Sequence, residues 1–269
     1  MPALPESLLR FAAYAGANAL LFYFGMLAAL LVVVTICWWI VRAYALPHAS
    51  SRSPQAAMVL KGLAGLVIAV AAAALFAWIA YALVRDGLMS QMDEALTASL
   101  SRHLDAATVS VFAVLTHFGD TLVRVCLGVA IGLLLWLKGR QTLAIGWVLA
   151  VGGAVLLNPL LKQVFERVRP VFENGMVSEP GWSFPSGHAS GATVTYGMLA
   201  YIAVRLLPMA WHLPSVLAAA ALAFTVGCSR IFLRVHFASD VAAGFALGTA
   251  WLAVCILGVE LSRYFSRRD

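Results

Sequence analysis

Residues 142–161 read TLAIGWVLAVGGAVLLNPLL and carry no charge, whereas the next nine, KQVFERVRP at 162–170, carry four. A helix needs about 20 predominantly apolar residues to cross bilayer hydrocarbon. Charges beside such a run are costly, so a cluster of them marks a candidate functional site. The contrast recurs twice. PSGH at 185–188 opens another apolar run, and SRIFLRVHFASD at 229–240 separates two more.

The whole composition agrees with that local reading. Hydrophobic residues make up 62% of the 269 residues and charged residues 11%, with a mean hydropathy of +0.91. A soluble domain carries about 25% charged residues, so a soluble globular protein is excluded. No polar segment is long enough for a second folded domain, and one helical bundle is the expected architecture. The net charge of +6 does not indicate a nucleic-acid partner. The basic residues lie in short loops between apolar runs or in the three clusters, not on one soluble face. Cys37, Cys126, Cys228 and Cys255 fall within or at the edge of apolar runs, with no metal-binding spacing between them. They read as buried free thiols.

Seven stretches are long and apolar enough to span: 20–42, 62–84, 121–138, 142–161, 188–207, 214–232 and 240–262. The first apolar region is too long for a signal-peptide core and is expected to be retained. One set of span ends holds Arg42, Arg52, Lys61, Lys138, Arg140, Arg205, Arg263, Arg267 and Arg268. The other, leaving out the three clusters, holds only Arg10, Arg85, Arg102 and Arg124. Basic residues concentrate on the cytoplasmic side. That rule places the C-terminus inside, the N-terminus outside and all three clusters on the extracytoplasmic side. Between 85 and 120, Met92–Leu104 has the spacing of an amphipathic helix lying at the interface. His103 and His117 read as interfacial histidines, and Asp120 as a helix N-cap.

If the helix of 142–161 continues, Lys162, Glu166 and Arg169 share one face, and Pro170 marks its end. Two fixed cations there would receive an anion, with the Arg169 fork suited to phosphate oxygens; snorkelling cations paired with Glu166 are the alternative. Ser186 and Gly187 before the run at His188 would present helix-start N–H groups to an anion; a plain N-cap would use the same residues. His236 and Asp240 are four apart, so on a helix the carboxylate could hold one imidazole nitrogen and leave the other to attack. A His–Asp pair that merely caps the last helix is the alternative there. Arg230 adds a third cation. With all three clusters on one membrane side, the set fits phosphoryl transfer, which needs charge neutralisation, positioning and leaving-group help. No acidic or His/Cys cluster offers a metal cage, so no metal and no cofactor is expected.

Lys162-x6-Arg169-Pro170, Pro185-Ser186-Gly187-His188 and Ser229-Arg230-x5-His236-x3-Asp240 together resemble the three-part signature of the type 2 phosphatidic acid phosphatases. That superfamily also includes bacterial acid phosphatases and vanadium haloperoxidases. The resemblance implies an all-α polytopic membrane bundle: a six-helix phosphatase core over roughly residues 62–262, plus one extra N-terminal transmembrane helix. The domain division is then 1–60 for the N-terminal helix and cytoplasmic loop, and 61–269 for the phosphatase domain. It also implies roles. His236 would be the nucleophile that forms a phosphohistidine, oriented by Asp240. His188 would be general acid and then base. Lys162, Arg169, Arg230, Ser186 and the Gly187 amide would hold the phosphoryl oxygens. Glu166, Arg167 and Arg234 fall at variable positions and stay outside the expected site.

The expected function is hydrolysis of a membrane lipid phosphate at the outer face of a bacterial-type plasma membrane. Undecaprenyl diphosphate, phosphatidylglycerophosphate and phosphatidate are the candidate substrates, with a lipid A phosphate behind them. The partners expected are the lipid substrate and the bilayer, with no obligate protein partner. Phe172, Met176, Trp182 and Phe184, in the connection 171–184, read either as an apolar lid or as interfacial anchors. Two other functions share parts of the pattern: a vanadate-dependent haloperoxidase, and a non-catalytic lipid-phosphate binder or transporter.

Overall fold

The computed structural model describes residues 5–45, 54–85, 87–170 and 181–266. All its regular elements among these are helical. In chain order they are α1 (Glu6–Ala17), α2 (Ala19–Ile40), α3 (Pro54–Arg85), α4 (Leu88–His103), α5 (Ala106–Leu115), α6 (Thr121–Leu137), α7 (Gln141–Phe165), α8 (Gly187–Leu206), α9 (His212–Phe232) and α10 (Ala238–Phe265). A π-helical turn, Val41–Ala45, follows α2, and 3-10 turns at Thr116–Gly119 and Met209–Trp211 precede α6 and α9. The first apolar region is two helices, broken at Asn18, whose side-chain amide turns back to the Tyr14 carbonyl at 3.0 Å.

Every expected span falls on a helix, but the helices differ in how they meet the membrane. Among the described residues five are long and apolar enough to cross: Ala19–Ala43, Gln55–Val84, Gln141–Phe165, Met209–Phe232 and Ala238–Phe265. Thr121–Leu137 qualifies only together with Ala106–Gly119, across a 40° bend. Helix α8 is the instructive exception. It carries Ser190, Thr193, Thr195 and Tyr196, and half of its 20 residues are buried. Surrounded by protein instead of lipid, it is released from the demand for apolar side chains. Its close neighbour is α10. A Cβ at Gly244 would lie 2.7 Å from the Ser186 carbonyl oxygen, and one at Gly248 would lie 2.6 Å from that of Ser190. Two glycines one turn apart let the two backbones approach to van der Waals contact, which drives helix association where lipid removes the hydrophobic incentive.

The core has two ends. Away from the clusters, Leu143, Trp147, Val151, Val194, Met198 and Val259 form a packed group, and the buried Trp147 indole donates to the Gly128 carbonyl at 2.9 Å. At the cluster end Phe184, only 1% exposed, packs with Ile79, Ala80 and Ala243 and meets the rings of Phe76 and Phe165. Phe184 is therefore a core anchor and neither a lid nor an interfacial residue. Trp182 is 36% exposed; Phe172 and Met176 lie outside the described residues. Helix α2 is joined to the bundle by Tyr23, whose hydroxyl bonds that of Thr225 at 2.8 Å within a cluster of Phe112, Phe224 and Phe232. The cysteines are free thiols, but only Cys228 is buried; Cys37 and Cys126 lie on outward helix faces. An apolar thiol gains as much from lipid contact as from a protein core.

Candidate active site

Helix α7 stops earlier than the sequence pattern suggests. Glu166 takes the left-handed conformation (φ 46°, ψ 34°) and caps it, so Pro170 is not the terminator and Glu166 does not share a face with Lys162 and Arg169. Beyond the cap the chain runs without helix to Pro170, with 166 and 168 exposed and 167 and 169 half-buried. That period of two turns both arginines inward. Lys162 remains on α7, one turn beyond Asn158 and on its face. The Asn158 amide donates to the Pro185 carbonyl at 3.2 Å, and its carbonyl oxygen lies 2.7 Å from where a Cβ on Gly187 would stand. That face of α7 meets the start of α8.

There Ser186 is the N-cap, its hydroxyl accepting from the Ala189 N–H at 3.4 Å. The Ser186 N–H itself donates to the Asp240 carbonyl at 3.0 Å, which ties the second cluster to the third. His236 is not on a helix: it lies two residues before α10, and Asp240 lies in the helix's first turn. The pairing survives that change. His236 Nδ1 sits 3.4 Å from Asp240 Oδ2 and 3.3 Å from the Ser183 hydroxyl, while Arg169 Nη1 donates to Nε2 at 3.1 Å. One nitrogen faces a carboxylate and the other a cation. Burial above all, with the Arg169 and Arg230 charges, pushes the imidazole pKa down to about 4, against the opposing pull of Asp240. Burial thus favours the neutral form of the ring. Arg230 is 1% exposed and donates to the Thr116 hydroxyl at 2.7 Å; its carbonyl accepts from the Val235 and His236 N–H groups, which fastens it to the His236 loop.

Several residues outside the expected set belong to this arrangement. The fully buried Asp240 carboxylate accepts from Arg167 Nη1 (2.6 Å), the Ser183 hydroxyl (2.5 Å) and the Phe237 N–H (2.9 Å). Arg167 also reaches Asp93 of α4 at 2.8 Å and lies 4.3 Å from the Phe237 ring centre. Asp93 in turn accepts from the Ser239 N–H at 3.1 Å and from its hydroxyl. Burial raises the Asp93 pKa, and its bonds to Ser239 and Arg167 oppose the rise. Asp120 does stand at the N-cap position of α6, yet its side chain makes no capping bond. One oxygen meets His188 Nε2 at 3.0 Å and the other His117 Nδ1 at 2.8 Å. His117 is thus linked to the site through Asp120. His103 is not, since it bonds the Ser99 carbonyl on its own helix. The signals for these residues existed. Arg167 alternates with Arg169 ahead of a proline, and Asp120 begins a span at the same end as His188.

Buried carboxylates, a neutral histidine and inward-facing guanidinium groups at one end of a membrane bundle are suited to a charged phosphoryl group, and comparison with known proteins identifies the class. It is a multi-span membrane phosphoric ester hydrolase. The model of the family described as "PAP2 superfamily" matches residues 141–264. Phosphatidylglycerophosphatase B of Bacillus subtilis is 35% identical over 176 residues, which cover 65% of this chain and 86% of that protein. Lipid A 1-phosphatase of Rhizobium etli is 28% identical over 176 residues, 55% of this chain and 70% of the other. The crystal structure of a transmembrane PAP2-type phosphatidylglycerolphosphate phosphatase from Bacillus subtilis superposes with a TM-score of 0.66 at 30% identity, covering 75% of this chain and 96% of that one. The chain belongs to the PAP2 superfamily.

Proposed function

We propose that the protein hydrolyses the phosphate monoester or diphosphate of a membrane lipid through a phosphohistidine intermediate. The observation that carries this reading is the two-sided setting of His236, with Nδ1 toward Asp240 and Nε2 toward Arg169. Asp240 holds the tautomer that leaves the Nε2 lone pair for attack on phosphorus. As the N–P bond forms, the P–O bond to the lipid breaks, and His188 gives its proton to the departing oxygen. Asp120 holds Nε2 of His188, so Nδ1 carries that proton. In the second half His188 takes a proton from water, the water oxygen attacks phosphorus, and the N–P bond breaks to release phosphate. Lys162, Arg169, Arg230, the Ser186 hydroxyl and the Gly187 amide neutralise the equatorial oxygens. Protein cations supply the charge a metal would otherwise bring.

Relatives named for phosphatidylglycerophosphate and lipid A support a lipid phosphate, with undecaprenyl diphosphate and phosphatidate as further candidates. The excess of basic residues at the far span ends supports a plasma membrane placement with the site extracytoplasmic and the C-terminus cytoplasmic. A cleft of about 440 Å³, lined by Glu94 and Thr97 of α4 and by Arg167 and Arg169, gives a headgroup a polar approach at that end. The test is phosphate release from a panel of lipid phosphates in detergent, with labelled protein trapped by an alkaline denaturing quench. Wild type releases phosphate and gives an acid-labile, base-stable phosphoprotein that is absent in His236→Ala. Cleavage of soluble esters but of no lipid phosphate would overturn the lipid assignment, and binding without release would favour a non-catalytic binder.

A further inference from the structure

At the end of the bundle opposite the active site, α3, α8 and α10 enclose a groove of about 570 Å³, within the roughly 300–1,000 Å³ of ligand pockets. Its walls are apolar, with Ala64, Gly65 and Ile68 from α3 facing Leu252, Ile256 and Leu257 from α10. Small residues open it: a Cβ on Gly65 would come no nearer than 3.9 Å to Leu257. Along α10 the lining runs from Thr249 to Glu260, about 16 Å at 1.5 Å per residue. That is half of a hydrocarbon core about 30 Å thick, so the groove is as deep as one leaflet. An apolar slot at that depth excludes water and takes an acyl chain.

The mouth of the groove is charged. Lys61, Arg205 and Glu260 line both the groove and an adjoining cleft of about 190 Å³, which adds Arg263. Glu260 accepts from the Tyr201 hydroxyl at 2.5 Å, pairs with Arg205 and stands 3.9 Å from Lys61 Nζ. Among the described residues that line the mouth, the cations Lys61, Arg205 and Arg263 outnumber the one carboxylate, Glu260. Basic pockets between membrane helices suit anionic headgroups. We propose that this groove binds an anionic phospholipid of the leaflet opposite the active site, with one chain along α10 and its phosphate between Lys61, Arg205 and Arg263. This site is separate from the catalytic one and stands or falls without it.

The experiment equilibrates purified protein with mixed micelles holding equal phosphatidylglycerol and phosphatidylcholine and counts retained lipid by native mass spectrometry. Wild type retains phosphatidylglycerol in preference, and so does Arg169→Gln, in which the active site is impaired. Lys61→Gln and Arg263→Gln each lower the preference about fivefold, the effect of one basic residue near an anionic surface. Ala64→Leu/Gly65→Leu fills the slot and loses retention of both lipids. Hydrolysis of a soluble phosphate ester serves as the folding control for the groove variants, and the melting midpoint in detergent serves for Arg169→Gln. Lys61 is 57% exposed at its side chain, so its replacement leaves packing intact and decides the matter alone: an unchanged preference in Lys61→Gln overturns the proposal. Loss of retention in Arg169→Gln, or displacement by excess inorganic phosphate, overturns it as well, because the lipid would then lie in the active site or the pocket would read phosphate alone.

Discussion

Asp120 is where the residue scale matters most for catalysis. It bridges His117 and His188 and touches no expected phosphate ligand, so under the proposed mechanism it would act through His188 as a positioning residue. General acid–base help is worth about 10²–10⁴-fold. Asp120→Asn keeps the shape but reverses the preferred tautomer, and we expect kcat to fall about 10–100-fold with KM little changed, a smaller loss than His188→Ala. An unchanged kcat would leave Asp120 as a helix start only. His236 gives a pH prediction. It titrates near 4 when folded and at about 6.5 when unfolded. As pH falls from 6.5 toward 4, the unfolded chain takes up the proton first, so stability is lost across that window. Asp93 has the opposite sign, because its raised pKa makes the unfolded chain release its proton first as pH rises. Comparison with His236→Gln isolates the histidine: the melting midpoint in detergent should drop less between pH 7 and pH 5 in the variant than in wild type. Equal drops would contradict the buried, neutral imidazole.

At the scale of elements, α4 links α1 to the Arg167–Asp240 pair beside His236. Its apolar spacing is plain in the sequence, and a helix was expected over Met92–Leu104. What periodicity does not reveal is that Asp93 faces inward, 4% exposed, to share Arg167 with Asp240. On the other side of α4, Ser99 donates to the Ala13 carbonyl of α1 at 2.6 Å, and a Cβ on Gly16 would lie 2.6 Å from the Ser99 Cβ. The two faces predict different phenotypes. Gly16→Leu overpacks a helix contact and should cost about 1–3 kcal/mol of stability with kcat nearly unchanged. Asp93→Asn removes one of the two carboxylates that aim Arg167, and kcat should fall about tenfold even where the melting midpoint hardly moves. Equal effects of the two on kcat would mean that α4 acts only as packing.

For the whole molecule, the helices were legible because each apolar run had to satisfy its backbone inside lipid. The three clusters were legible because charges there have few other uses. Long-range geometry was not: the left-handed cap at Glu166 and the loop position of His236 depend on contacts between segments distant in sequence. So do Ser183 and Arg167 beside Asp240, from residues 57 and 73 positions away. Side preference is the remaining global property, and basic residues argue it. Lys138 and Arg140 flank the turn between α6 and α7 at the far end, while α4 lies at the site end. With the four native cysteines replaced by alanine, Arg102→Cys on α4 and Gln141→Cys at the start of α7 report the two ends, both being exposed positions. A membrane-impermeant maleimide added to intact spheroplasts should label the first directly and the second only after permeabilisation. The reverse pattern would place the catalytic end, and with it the leaflet that supplies substrate, on the cytoplasmic side, and would make this chain an exception to the charge rule.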